Sequence, residues 1–67
     1  MNTDSVEGLT RARGSLVRQR DILAARIGGI ELAPVSMAED LTRILLAIEA
    51  VDRALTNAGH PHFEGDV

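Results

Sequence analysis

Sixty-seven residues with a formal net charge of −3 make at most one small domain, near the size where a single core rarely suffices for stability. There is no cysteine, which excludes a disulfide framework and a thiolate metal site. The one aromatic residue, Phe63, lies near the C-terminus, so any core must be aliphatic, and self-association is the expected route to stability.

Residues 1–3 carry no ordering signal, and the polar, acidic Met1–Glu7 stretch has neither the basic nor the apolar region of a signal peptide. No run approaches the ~20 apolar residues needed to cross a bilayer. A cytoplasmic protein without a membrane partner is expected. All seven basic residues are arginine, a usage that fits a GC-rich coding sequence.

Asp4 followed by Glu7 has the spacing of a capping box, so a first helix is expected over about 4–28. Leu9, Leu16, Leu23 and Ile30 recur every seven residues, but the companion series reads Val6, Arg13, Arg20, Ile27. Two arginines therefore stand in or beside the apolar stripe. Gly8 and Gly14 each lower helicity by roughly 1 kcal/mol relative to alanine, which leaves this helix dependent on tertiary contacts.

Gly28-Gly29 is a helix stop, expected to use glycine's access to the left-handed conformation. A turn over about 29–35 follows, in which Ile30, Leu32 and Val35 are available to fold over the end of the molecule. Pro34 cannot lie inside a helix and holds Ala33 extended.

Ser36 and Glu39 form a second capping-box pattern, with Glu39 and Asp40 placing negative charge at the positive end of the helix dipole. The second helix is expected over about 36–58. Met37, Leu41, Ile44, Ile48, Val51, Leu55 and Ala58 alternate at spacings of four and three, which puts all of them on one stripe. Asn57, Gly59 and Pro61 end it, and residues 59–67 read as a flexible tail.

So short a connection makes the helices antiparallel neighbours. The fold expected is all-α, an antiparallel two-helix hairpin completing a four-helix bundle or ring by self-association. The seam takes Leu16, Leu23 and Ile27 from helix one. Helix two supplies Met37, Leu41, Ile44, Leu45, Ile48, Val51 and Leu55. Outward from the turn, Ile30 falls beside Met37, Leu23 beside Ile44, Leu16 beside Val51 and Leu9 beside Ala58.

Charge divides between the helices. From Gly8 to Ile30 there are five arginines and one acid, whereas from Glu31 onward the acids outnumber the arginines. Arg13 and Arg20 fall level with Glu49 and Asp52, so interhelical ion pairs that fix register are expected. Ile22 and Leu46 fall away from the seam and leave a second apolar surface for another copy to cover.

Arg11 and Arg18, with Arg26 displaced round the same side of helix one, are the residues available for phosphate contact. A solvated helix face explains them at least as well, and no helix-turn-helix spacing or stacking aromatics accompany them. His60 and His62, with Glu64 and Asp66, lack the spacing of a structural metal site. No phosphate-binding glycine loop is present, and the acids have structural explanations. A non-catalytic protein without cofactor or metal is expected.

The run Leu16, Arg20, Asp21, Leu23, Ala24, Ile27, followed by Asp40, Leu41, Thr42, Arg43, Leu45 and Ile48, resembles small terminase-subunit-like proteins of actinobacterial phages. Those proteins carry Leu-x3-Arg-Asp-x-Leu-Ala, a short turn, then Asp-Leu-x-Arg-x-Leu. The resemblance implies a helical oligomerisation unit that recognises viral DNA and hands it to a packaging ATPase. The family's separate DNA-binding domain and basic tail have no counterpart in these residues. Leu23-Ala24-Ala25-Arg26-Ile27-Gly28 also resembles the first helix of all-helical chorismate mutases, but that fold's long third helix and active-site lysine are missing. A generic adaptor that accepts a partner's helix is the alternative expectation.

Overall fold

The computed structural model describes residues 3–59. They form two helices, α1 (Thr3–Gly28) and α2 (Val35–Asn57), packed side by side as an antiparallel hairpin, with no strand among the described residues. The all-α hairpin expected from the sequence is the fold found. The molecule measures 44 × 25 × 15 Å, so it is a slab one helix thick.

That thickness governs the core. Ile48 and Leu55, at 6% and 3% exposure, are the buried apolar residues among those described, and both belong to α2. Leu9, Leu16, Leu23 and Ile27 of α1, with Met37, Leu41, Ile44 and Val51 of α2, are only half-buried. A seam between two cylinders covers one stripe on each and leaves both broad faces of the slab wet.

The helix ends depart from the expected chemistry. α1 already includes Thr3, so Asp4 lies in its first turn and is not its cap. Neither Gly28, which ends α1, nor Gly29 after it adopts the left-handed conformation. Gly29 N–H instead donates to Ala25 O and Arg26 O at 3.2 and 3.1 Å, and Ile30 N–H to Ile27 O at 3.1 Å. A tightened last turn thus satisfies the orphan carbonyls without a change of hand. Among the described residues the left-handed one is Gly59, after α2, with φ 80°.

At the start of α2, Pro34 occupies the cap position at φ −60°, ψ 143°, and no side chain caps the helix. Because proline is pre-set for helix entry, the helix begins at Val35 and draws Ser36 inside. The expected Ser36–Glu39 capping box is therefore not formed. Glu39 and Asp40 fall beyond the first turn, which contains no acid, and Asp40 instead accepts a bond from Arg43 Nη1 at 3.3 Å.

The connection does not close over the hairpin. Ile30, Leu32 and Val35 are 42%, 88% and 73% exposed. The backbone bonds that hold Gly29 and Ile30 to α1 use up the chain needed to bend back. Residues 60–67, including the expected tail, lie outside the described residues.

Candidate interaction surfaces

The hairpin offers a polar lock within its seam and two contrasting broad faces. The lock begins with Arg13, one of the two arginines that break the apolar series of α1. Its residue exposure is 7%, the lowest on that helix, because it stands between Leu9 and Leu16 on the seam side. Arg13 Nε donates to Asp52 Oδ1 at 2.5 Å, and Nη2 donates to Oδ2 at 3.4 Å. The guanidinium fork and the carboxylate thus meet two-on-two, the geometry that sets orientation as well as proximity.

Asp52 keeps about a third of its side chain exposed, at 32% against 9% for Arg13. Water on the carboxylate side lowers the desolvation cost, which would otherwise offset most of the attraction. Of the four residues expected to pair across the hairpin, Arg13 and Asp52 meet. Arg20 Nε donates to its sequence neighbour Asp21 at 3.0 Å, and Glu49 is exposed.

One broad face contains an open groove of about 450 Å³. Gln19, Ile22, Leu23 and Arg26 line it from α1, and Asp40, Arg43 and Ile44 from α2. Leu23 and Ile44 form its floor, since both are half-buried seam residues. Ile22, at 62% exposure, stands on its rim. The groove is apolar below and cationic above: Arg43 is bonded to Asp40, while Arg26 carries no ion pair among the described residues.

The opposite face carries Leu45. It was expected in the seam, yet it is 44% exposed. At 100° per residue it sits about 60° round the helix from Ile48, on the side opposite half-buried Val51, because the arc that α1 covers is displaced toward Val51. Glu49 follows one turn later on the same side. Leu46, at 59% exposure, points farther back still. The rest of the expected seam set is at least half-buried.

Arg11, Arg18 and Arg26 are all exposed, as a solvent or phosphate-facing set would be. The flank residues Gln19, Asp40 and Arg43 were not singled out from the sequence as groove residues. Gln19 stands three and four residues from Ile22 and Leu23, Asp40 four from Ile44, and Arg43 three from Asp40, and that spacing is the available signal. Among the described residues no cluster of three or more His, Asp or Glu residues could hold a metal ion. His60 and His62 lie outside the described residues. No described helix is long and apolar enough to cross a membrane.

Comparison with known protein families, with curated proteins and with solved structures finds no match to this chain.

Proposed function

We propose that this hairpin is a non-catalytic self-association unit that works through protein–protein contact, two or more copies stacking their slabs into a four-helix bundle or larger assembly. One observation carries the reading: among the described residues the buried apolar set is Ile48 and Leu55, while Ile22, Leu45 and Leu46 face water. Stable domains stack two layers around a core, and a second copy is the nearest source of the missing layer.

Sedimentation equilibrium across micromolar concentrations tests this. The expected result is a mass above one chain and a melting temperature that rises with concentration, because association stabilises by mass action. A folded monomer whose melting temperature ignores concentration would sink the reading.

A second reading, a phage DNA-packaging component resembling a small terminase subunit, draws on the exposure of Arg11, Arg18 and Arg26. It adds duplex DNA and a packaging ATPase as partners. A gel shift that weakens with salt, and weakens again in the Arg11→Ala/Arg18→Ala variant, is its expected signature. No shift at low salt would leave the generic adaptor reading, in which the partner is another protein.

A further inference from the structure

We infer that the copies associate heterologously, the Leu45–Glu49 ridge of one hairpin seating in the Ile22–Arg26 groove of the next. This rests on the self-association reading and goes further by assigning which face meets which.

The two broad faces are not alike. Taking Ile48 as the middle of the α2 seam, Leu45 and Glu49 lie about 60° and 100° round in one sense, and Asp40 about 80° round in the other. The groove residues confirm the division, since Asp40 and Arg43 share that groove with Ile22 and Arg26 of α1. One face therefore presents an exposed isoleucine followed four residues later by an exposed arginine that has no ion pair among the described residues. The other presents an exposed leucine followed four residues later by an exposed glutamate.

These two ridges match in spacing and are opposite in charge. Residues four apart on a helix stand one above the other, ~5–6 Å between Cβ atoms. Laid in parallel, α1 of one copy and α2 of the next bring Ile22 against Leu45 and Arg26 against Glu49. Rotating the second copy by half a turn about the stacking axis achieves this while keeping the ridge turned toward the groove.

A two-fold contact through either face is less well matched. Groove on groove would place four guanidinium groups, Arg26 and Arg43 of each copy, against two Asp40 carboxylates already bonded to Arg43. Ridge on ridge would bring Glu49 of both copies to one apolar patch. Like charges at an interface act against a pairing, whereas ridge in groove sets the Arg26 guanidinium against the Glu49 carboxylate. A heterologous contact leaves a free groove at one end and a free ridge at the other. The assembly is therefore an open stack, or a ring where each step tilts enough to close.

Charge reversal tests this directly. By sedimentation at low salt, Arg26→Glu and Glu49→Arg each weaken association by about tenfold or more, since each sets like charges together. The double variant Arg26→Glu/Glu49→Arg recovers wild-type association. So does an equimolar mixture of the two single variants, in which no bond within one chain can be responsible. The inference is overturned if Glu49→Arg has no effect, or if the double variant and the mixture stay as weak as Arg26→Glu. In those cases the copies still associate and only the face assignment fails. A wild-type protein that never exceeds one chain's mass removes the self-association reading along with it. Should a reversal reduce helicity by circular dichroism, Arg26→Gln and Glu49→Gln replace it. The two neutral changes together then weaken association no more than either alone, and simple additivity overturns the inference.

Discussion

The two helices of this hairpin divide the work unequally. α2 carries an unbroken aliphatic stripe and supplies both of the apolar residues buried among those described, Ile48 and Leu55. α1 has a stripe interrupted by Arg13 and Arg20, and the residue it buries is charged. Apolar burial is non-directional and tolerates sliding, whereas a two-point guanidinium–carboxylate contact does not. The consequence is a division between adhesion, which α2 dominates, and alignment, which α1 specifies through Arg13.

The sharpest way to break that division is to cut the larger apolar contribution. Leu55→Ala should destabilise the hairpin by about 2–4 kcal/mol, in the range for a buried leucine truncated to alanine. Leu9→Ala, at a half-buried position on α1, should cost about half as much, because less of its side chain is removed from water to begin with. Urea melts at one fixed protein concentration measure both, since stability and association are linked here. Equal losses from the two helices would mean that adhesion is shared.

Next in size is the Arg13–Asp52 pair. Arg13→Met alone leaves a carboxylate at the seam without its cation and should cost about 2 kcal/mol. That is below the 3–5 kcal/mol of a fully buried pair because Asp52 is about one-third exposed. Asp52→Leu alone removes the two-point carboxylate partner of the better-buried guanidinium and should cost a comparable amount. Together, Arg13→Met/Asp52→Leu should recover most of the loss, since an apolar pair of similar volume suits the seam. If alignment is what Arg13 contributes, the recovered protein should also show broader amide resonances along α1. A double variant as unstable as the worse single one would instead make the ion pair itself the source of stability.

How much of this was legible beforehand follows the same division. The α2 stripe and the antiparallel fold-back could be read from spacing and from the Gly-Gly and Pro34 punctuation, because apolar periodicity is a strong signal over twenty residues. The meeting of Arg13 with Asp52 was also legible, from two arginines in an apolar heptad facing acids at the same level. Leu45 falls outside the seam because the arc of α2 that α1 covers is displaced toward Val51, which lies about 60° from Ile48 in the opposite sense and is half-buried. Sequence spacing does not state how many neighbours a helix has. The caps were misread for a local reason. Ser36 and Glu39 have capping-box spacing, but Pro34 two residues earlier fixes the helix start first. The groove was invisible because its polar rim residues look like ordinary solvated positions until both helices are placed.

The smallest expected effect separates the two helix ends, and it turns on backbone geometry alone. Gly29 directly follows α1 and Gly59 follows the Ala58 cap of α2, yet of the two only Gly59 has a positive φ. Gly59→Ala forces an L side chain into the left-handed region and should cost about 1 kcal/mol, although nothing crowds the added methyl. Gly29→Ala meets only Ala25 O and Arg26 O at 3.6 Å, an ordinary contact. With no left-handed backbone to strain, alanine there should be neutral or stabilise by up to about 1 kcal/mol, through a less flexible unfolded chain. Thermal melts of the two variants at matched concentration should therefore move in opposite directions. A loss at Gly29 equal to that at Gly59 would mean that α1 ends with a change of hand after all. The connection would then leave α1 in a different direction, and the groove that depends on where α2 begins would have to be redrawn.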